Sequence, residues 1–378
     1  MNAMDHGFSA MAQEERLGSP VELKNLQLTY GGGVRAVDDV SLGVRAGEFV
    51  SLLGPSGSGK TTTLKMLAGF EEPDSGEITV GGRSILGVSA AKRNIGMVFQ
   101  NYALFPHMSV FDNVAFPLRM RKRPKEEIRQ AVHEVLSLVH MQDHAGRKPG
   151  QLSGGQQQRV AFARAIVFKP PLLLMDEPLG ALDRQLRKEV QYELKRVQKR
   201  LGLTVIYVTH DQDEALFLSD TIAVMENGRI AQAGAPPDLY ESPRTRFVAE
   251  FLGESNFISG HLDAVSQGRA TVTLADGTRI TGRPIGLSGR AGIPVEMLIR
   301  PEKLDFADAK AHENRISGRI DMVNFLGSQL EYEVQTAGGM LAARSYLRSG
   351  SAPLAAGTVV DLGFSANDCM VFPAANRS

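Results

Sequence analysis

The segment GPSGSGKT, from Gly54 to Thr61, has the residue types and the spacing needed to bind a polyphosphate. Gly54, Gly57 and Gly59 allow a tight turn and bring backbone amides close to phosphate oxygens, because glycine has no Cβ atom. The Lys60 ammonium is expected to reach the β- and γ-phosphates, and the Thr61 hydroxyl to bind Mg²⁺. The loop therefore predicts binding of a nucleoside triphosphate.

Two neighbouring carboxylates complete this predicted chemistry. The segment Pro171 to Glu177 predicts a buried strand that delivers Asp176 and Glu177 at its end, where ligands of open α/β sheets bind. Asp176 is predicted to complete the Mg²⁺ shell, mostly through water, and Glu177 to polarise the attacking water. A strand end with solvated acids is the alternative for this segment taken alone.

A second phosphate-binding surface is predicted at Leu152 to Gln156, with the sequence LSGGQ. Ser153 and Gln156 have the spacing of a capping box at a helix start, and apolar residues follow at helical spacing. A cap requires only Ser153, so the paired Gly154 and Gly155 indicate a further role, a cradle for an anion beside the helix N-terminus.

The elements that position these residues alternate between strands and helices up to about Tyr240. Phe49 to Leu53 predicts a strand before the phosphate loop, Asp183 to Gly202 a long amphipathic helix, and Thr204 to Thr209 another strand. The pair Asn227-Gly228 predicts a hairpin turn. The alternation predicts a mixed α/β domain with a largely parallel sheet.

The pattern changes near Pro243, after which helical periodicity largely fades and an internal repeat appears. Asn256 to Val265 matches Asn314 to Val323, and Gly292 to Glu296 matches Gly357 to Asp361 more weakly. The conserved order of the two matches predicts two copies of one small β unit packed together. A chance match between two strand edges is the alternative.

Composition limits the possible classes of protein. A chain of 378 residues is long enough for two domains, and its 42 basic and 42 acidic residues balance, so nucleic acid is not a predicted partner. The single Cys369 favours a reducing compartment. No apolar run is long enough to span a bilayer and the start of the chain lacks signal-peptide order, so we expect a soluble cytosolic chain. Residues 1–20 are expected to form a flexible tail.

The order of phosphate loop, LSGGQ, strand ending in Asp-Glu and later strand ending in His210 resembles the nucleotide-binding subunits of ABC transporters. The resemblance covers about Val21 to Tyr240. It implies an α/β fold of the P-loop ABC type with a helical subdomain at 21–240, followed at 241–378 by an all-β, OB-like domain. It also implies hydrolysis of ATP with Mg²⁺.

Site residues follow from the resemblance. Gln100 would contact Mg²⁺ and the attacking water, and His210 would contact the γ-phosphate and hold Glu177 in position. Tyr30 would stack on adenine, and Asp183 would lie at a dimer contact. The implied catalytic residues are Glu177, His210 and Gln100, and the implied metal ligands are Thr61, Gln100 and Asp176. The implied nucleotide-binding residues are Tyr30, Gly54, Pro55, Ser56, Gly57, Ser58, Gly59, Lys60, Thr61, Thr62, Ser153, Gly154, Gly155, Gln156 and Asp183.

The resemblance also implies partners. In such proteins LSGGQ of one subunit closes over the ATP held by the other, so a homodimer is expected. Transmembrane permease subunits would bind the segment Tyr102 to Phe111, with Phe105, Met108 and Phe111 as candidate contacts; a small satellite core is the alternative. The basic run Arg119 to Lys125 is more typical of a solvent-exposed segment at the start of a helix than of a contact with anionic lipid. The chain would lie on the cytoplasmic face of the inner membrane, and an extracytoplasmic solute-binding protein would act only indirectly.

The region after Pro243 resembles the accessory domain called TOBE, found on importer ATPases. Phe251 to Phe257, Ile299 to Lys303 and Asn101 to His107 are most similar to spermidine/putrescine import subunits, which implies polyamine import. These segments carry no substrate-binding chemistry, so iron(III) or sugar import is an alternative. A non-transport ABC-type ATPase is a second alternative, but such chains usually carry two nucleotide domains or a coiled-coil insertion.

Overall fold

The computed structural model describes residues 17–180, 182–287, 289, 291–306, 311–347 and 352–374. Contacts divide the chain into two compact units, one ending at Pro236 and one beginning at Pro237. The division precedes the boundary expected at Tyr240, whose ring lies 4.2 Å from the Arg300 guanidinium of the second unit. Among the described residues, no helix has the length and apolar character to cross a bilayer.

The elements of the first unit are labelled in chain order. Its strands are β1 (Val21–Tyr30), β2 (Val34–Val44), β3 (Phe49–Leu53), β4 (Ser75–Val80), β5 (Arg83–Ser84), β6 (Gly96–Val98), β7 (Leu172–Asp176), β8 (Thr204–Thr209), β9 (Thr221–Glu226) and β10 (Arg229–Gly234). Its helices are α1 (Lys60–Ala68), α2 (Val110–Met120), α3 (Lys125–Leu138), α4 (Gly154–Ile166), α5 (Arg184–Leu201) and α6 (Gln212–Leu218).

A six-stranded sheet in the order β10-β9-β3-β8-β7-β6 is the centre of this unit. All its pairs are parallel except β9 with β10, which the Asn227-Gly228 turn joins as an antiparallel hairpin. β3, β7 and β8 are almost continuously apolar and buried, as expected for parallel strands covered on both faces. The predicted mixed α/β fold is confirmed. A four-stranded antiparallel sheet, β2-β1-β4-β5, is an addition to it.

Helix α5 has the ends that its sequence predicts. The Asp183 carboxylate accepts hydrogen bonds from the backbone N–H groups of Gln185 and Leu186, which satisfies two donors of the first turn. Gly202 ends the helix with a left-handed φ of 59°. Helices α2, α3 and α4 pack on one another and share a core cluster with β7 and α5.

The final part of the tail expected at residues 1–20 is hydrogen-bonded to the first unit. The backbone N–H groups of three residues there donate to carbonyl oxygens near the ends of α5 and β7: Leu17 to Leu201, Gly18 to Gly202 and Ser19 to Pro171. These hydrogen bonds fix this segment against the first unit, because three consecutive backbone donors are satisfied. Residues 1–16 lie outside the described residues.

The second unit consists mainly of strands. Its helices are α7 (Pro236–Glu241) and α8 (Arg246–Phe251), and its strands are β11 (Asn256–Ser266), β12 (Arg269–Thr273), β13 (Arg279–Pro284), β14 (Pro294–Ile299), β15 (Asn314–Phe325), β16 (Gln329–Thr336), β17 (Gly339–Tyr346), β18 (Val359–Phe364) and β19 (Cys369–Pro373). Helix α8 is not indicated by the sequence. Its six residues make fewer than two turns, which is too short for helical periodicity to show.

The predicted internal repeat is confirmed by strand register. β11-β12-β13-β19-β14 form a closed barrel, and β17-β16-β15-β18 form a four-stranded sheet. At matched positions of the repeat, Gly260 pairs with Val295 in one copy and Gly318 with Val360 in the other. Each copy also has a register shift at the same point of its first hairpin.

The two copies exchange equivalent hydrogen bonds through their matched asparagines. The Asn256 amide donates to the Ala342 carbonyl oxygen and accepts from the Ala342 N–H, both at 2.8 Å. Asn314 makes the same two bonds, also at 2.8 Å, with Thr281. Both asparagines are buried, and Thr281 and Ala342 occupy equivalent positions in the third strand of each copy. The repeat therefore specifies how its copies pack.

We expect Asn314→Ala to lower the free energy of unfolding by about 1–3 kcal/mol, since the backbone N–H and C=O of Thr281 lose their partner. Ser259→Ala, at an exposed position of β11, is the matched control and should change stability by less than about 0.5 kcal/mol. Urea denaturation of the purified chain measures both changes. Equal stabilities of the two variants would contradict the role given to Asn314.

Candidate functional site

Adjacent parallel strands end together at one edge of the central sheet. Leu53 at the end of β3 pairs with Thr209 at the end of β8, and Asp176 at the end of β7 pairs with Val208. β6 lies next to β7 in the same direction. The sequence-predicted residues that directly follow these four strands are Gly54, His210, Glu177 and, one position further on, Gln100.

The phosphate loop needs glycine at two positions where neighbouring backbone approaches closely. A Cβ atom on Gly54 would lie 2.4 Å from the Met225 carbonyl oxygen, and one on Gly59 would lie 2.5 Å from the Ala36 carbonyl oxygen. Gly57 and Gly59 also have φ angles of 81° and 98°, in the left-handed region. The loop thus packs tightly between β9 and β2.

The β9–β10 hairpin supports this loop from behind. The Gly228 N–H donates to the Ser58 carbonyl oxygen at 3.1 Å, and the Gly228 carbonyl accepts from the Asp38 N–H at 2.8 Å. The Asp38 carboxylate pairs with Arg229 and Arg35, and its hydrogen bond to Arg229 lowers the pKa of that carboxyl. The pair Asn227-Gly228 in the sequence indicates only that a turn forms here, because it carries no information about what the turn packs against.

Lys60 lies at the start of α1 and is directed along the loop. Its Nζ donates to the carbonyl oxygens of Gly54 at 2.7 Å and Pro55 at 2.8 Å. Burial lowers the pKa of this ammonium, and the nearby Glu177 and Asp176 carboxylates oppose the shift. No side chain caps α1 at Gly59, which leaves a helix N-terminus of the kind that binds phosphate.

Oxygen donors suited to Mg²⁺ lie beside the loop. The Thr61 hydroxyl donates to Oδ1 of Asp176 at 3.4 Å. Burial, followed by the neighbouring Glu177, raises the pKa of Asp176. The described residues include no cluster of three or more His, Cys, Asp or Glu side chains that could hold a metal. One carboxylate and one hydroxyl fit Mg²⁺, which takes its remaining ligands from phosphate and water.

Glu177 is held in a strained backbone conformation between two neighbouring side chains. Its φ is 42°, and its N–H donates to the Val208 carbonyl oxygen at 3.0 Å. His210 Nδ1 lies 3.3 Å from one carboxylate oxygen, and the Gln100 amide donates to the other at 3.4 Å. A left-handed glutamate costs about 1–2 kcal/mol, and such strain is typical of functional sites. The His210 side chain is 62% exposed, so a ligand can reach it.

The LSGGQ segment begins α4 with the predicted capping box. The Ser153 hydroxyl accepts from the Gln156 N–H at 3.3 Å, and the Gln156 side chain accepts from the Ser153 N–H at 3.0 Å. Ser153 and Gly154 are exposed. Among the described residues, no hydrogen bond or ion pair joins this segment to the phosphate loop of the same chain.

The paired glycines of this segment differ in their surroundings. Gly155 is buried, and a Cβ atom there would lie 2.9 Å from the Leu186 side chain of α5. Packing is therefore an additional reason for glycine at position 155, and the anion cradle at both glycines stays a prediction. A Cβ on the exposed Gly154 would meet only Leu182, at 3.3 Å.

The other predicted nucleotide-binding residues lie at the end of β1, at the start of α5 and around the phosphate loop. The Tyr30 ring is partly exposed at the end of β1, and its hydroxyl donates to Glu71 at 3.4 Å. Asp183 caps α5, so it has a structural contact within its own chain. The last group lies within the phosphate loop or in the first turn of α1: Pro55, Ser56, Ser58 and Thr62.

Comparisons with known proteins identify the family. A family model for ABC transporters matches residues 37–180, and one for the TOBE domain matches residues 297–372. The chain is 48% identical over 362 residues to the spermidine/putrescine import ATP-binding protein PotA of Rubrobacter xylanophilus, and the match covers 95% of each chain. This chain belongs to the ABC transporter family. The fold class inferred from its motifs is confirmed.

Further relatives agree with this assignment. A protein of the same name from Thermobifida fusca is 48% identical over 84% of this ABC chain and 83% of its own length. The solved dimeric structure of MJ0796, a bacterial ABC transporter cassette, covers 57% of this chain and 98% of its own, with a TM-score of 0.52 and 36% identity. A post-hydrolysis MJ0796 dimer bound to ADP and Pi has a TM-score of 0.51 and 35% identity, covering 57% and 98%. The first unit therefore has the fold of an ATP-binding cassette.

We expect Gly59→Ala to weaken ATP binding by at least about tenfold, since its Cβ would displace the loop from β2. Gly82→Ala, in the turn between β4 and β5, is the matched control: its φ is also left-handed, at 74°, but a Cβ there meets no described atom within 4 Å. Calorimetric titration with ATP measures both affinities. Similar affinities for the two variants would contradict the tight packing of the loop.

Proposed function

We propose that this chain is the ATP-hydrolysing subunit of an importer for polyamines such as spermidine and putrescine. The observation that carries the hydrolytic part is the convergence of Glu177, His210 and Gln100 beside the phosphate loop. The polyamine part is supported by relatives named spermidine/putrescine import ATP-binding proteins, with which the chain shares nearly half its residues over most of its length.

In this proposal the protein acts by orientation and electrostatics. Glu177 polarises the attacking water, and His210 and Gln100 hold the carboxylate from either side. Lys60 leaves its two carbonyl partners for the β- and γ-phosphates, where it stabilises developing charge. Asp176, Thr61 and Gln100 would hold Mg²⁺, and the ion when bound would supply further charge neutralisation on the phosphates.

We propose that a second copy of the chain completes the site. Ser153 and Gly154 are exposed at the N-terminus of α4. In the described part of the chain they make no hydrogen bond to the phosphate loop of their own copy, so they are free to contact the loop of another. The MJ0796 cassettes, described as dimeric, support this assembly. An isologous dimer would place Ser153 to Gln156 and Asp183 of each copy opposite the phosphate loop of the other, with two ATP molecules between them, and Tyr30 against adenine.

We propose that membrane permease subunits bind the segment Tyr102 to Phe111, which places the chain on the cytoplasmic face of the inner membrane. Phe105 and Met108 are half-buried, and Pro106 and His107 between them are exposed, so the segment offers apolar surface to a partner. Phe111 packs against the core cluster of its own unit and is the weaker candidate. A solute-binding protein outside the membrane would act through the permease.

The two units correspond to two proposed domains, a nucleotide-binding domain over about 21–240 and a TOBE-type accessory domain after it. The first contains every residue of the proposed hydrolytic site. The second contributes the repeated β unit, and its TOBE match at residues 297–372 supports an importer-type subunit.

Uptake of labelled putrescine, spermidine, iron(III) and maltose tests the proposal in cells that carry the native chain or Glu177→Gln. We expect Glu177→Gln to abolish uptake of putrescine and spermidine and to leave uptake of iron(III) and maltose unchanged. In the purified chain it should slow steady-state hydrolysis at least about 100-fold while ATP still binds. Glu189→Gln, exposed on α5, is the matched control and should behave as native.

The outcomes separate the parts of the proposal. Retained hydrolysis in Glu177→Gln would contradict the role of that carboxylate. Loss of iron(III) or maltose uptake would replace polyamines as the substrate and keep the importer. Unchanged uptake of all four solutes, with hydrolysis lost, would favour an ATPase that does not drive transport.

A further inference from the structure

Arg164, near the end of α4, is bonded to the loop that follows Gln100. Its Nη1 donates to the Ala103 carbonyl oxygen and its Nη2 to the Tyr102 carbonyl oxygen, both at 2.7 Å. The guanidinium carbon also lies 5.6 Å from the Phe105 ring centroid. Two short charge-assisted bonds from one planar group fix both the position and the direction of this segment.

The bonded segment has a backbone conformation that requires support. Tyr102 and Ala103 have φ angles of 59° and 47°, left-handed values that cost roughly 1–2 kcal/mol for each non-glycine residue. The Tyr102 side chain is buried, and its N–H donates to the Phe99 carbonyl oxygen at 2.9 Å. The strained turn therefore begins directly after Gln100 and is held where Arg164 binds its carbonyl groups.

Helix α4 has a proposed functional group at each end. Ser153 caps its start, and Arg164 lies eleven residues further on, about 16 Å along the helix axis. Helix α4 is uninterrupted between these residues. Gln100, two residues before Tyr102, donates to Glu177.

We propose that Arg164 is a positioning residue for ATP hydrolysis. It holds the loop after Gln100 against helix α4 and so keeps the Gln100 amide hydrogen-bonded to Glu177. This inference rests on the proposed roles of Gln100 and Glu177. In this proposal Arg164 acts on the Tyr102 and Ala103 carbonyl oxygens and not on the nucleotide.

The test variant is Arg164→Lys, which retains the charge but cannot donate from two nitrogens in a fixed fork. Its matched control is Arg121→Lys. Arg121 likewise donates to a backbone carbonyl, that of Pro117 in α2, and also to the Asn94 side chain, both at 3.1 Å, and its guanidinium lies 3.7 Å from the Phe168 ring centroid. It makes no hydrogen bond to Tyr102 or Ala103. Comparing the two variants therefore separates the effect of losing the loop contact from the effect of replacing any arginine by lysine.

Two readouts are measured on the purified full-length chain. Amide hydrogen exchange over residues 99–106 should be at least about threefold faster in Arg164→Lys than in the native chain or Arg121→Lys. The kcat for ATP should fall about tenfold, with KM within about twofold, because the phosphate loop is unaltered. The same kcat is expected for Gln100→Ala with and without Arg164→Lys, since both changes remove one interaction.

The inference would be overturned if amide hydrogens of residues 99–106 exchanged at the native rate in Arg164→Lys. Faster exchange with an unchanged kcat would also overturn it. Independent, additive losses from Arg164→Lys and Gln100→Ala would also overturn it, since Arg164 would then not act through Gln100. A slow Gln100→Ala beside a fully active Arg164→Lys contradicts only this inference. Full activity of Gln100→Ala contradicts the proposed role of Gln100 as well.

Discussion

The functional site depends on one constraint, the parallel pairing of β3, β8, β7 and β6. Parallel strands in register end at the same edge of a sheet, so the loops that follow them emerge side by side. The phosphate loop, His210, Glu177 and Gln100 occupy four consecutive positions along that edge. None of these groups is near another in the sequence, and the sheet alone brings them together.

Two strained backbone segments lie where this edge meets the site. Glu177 has a left-handed backbone directly after β7, and Tyr102 and Ala103 have the same conformation shortly after β6. In each case hydrogen bonds hold the backbone: the Glu177 N–H donates to the Val208 carbonyl oxygen of β8, and Arg164 donates to the Tyr102 and Ala103 carbonyl oxygens. Rigid neighbours can maintain such conformations, which orient side chains that an unstrained turn would direct elsewhere.

Local chemistry made much of the fold predictable. The strands before the phosphate loop and before His210, the capped helix α5 and the repeated β unit all follow from periodicity, caps and glycines within short segments. Strand order, the left-handed Glu177 and the support of the phosphate loop by Gly228 depend on residues far apart in the chain, so no local pattern indicates them. Gly155 shows the converse: a motif glycine that also has an ordinary packing reason, Leu186.

We propose that each ATP site combines the phosphate loop of one copy with α4 of another. Lys60→Ala disables the loop, and Gly154→Asp places a carboxylate at an exposed helix start, which favours the helix but repels phosphate. Hydrolysis by the two purified variants, separately and mixed, tests the claim. We expect each variant to be inactive alone and mixing to restore hydrolysis, because a mixed dimer contains one intact site. An inactive mixture that still forms dimers would contradict it.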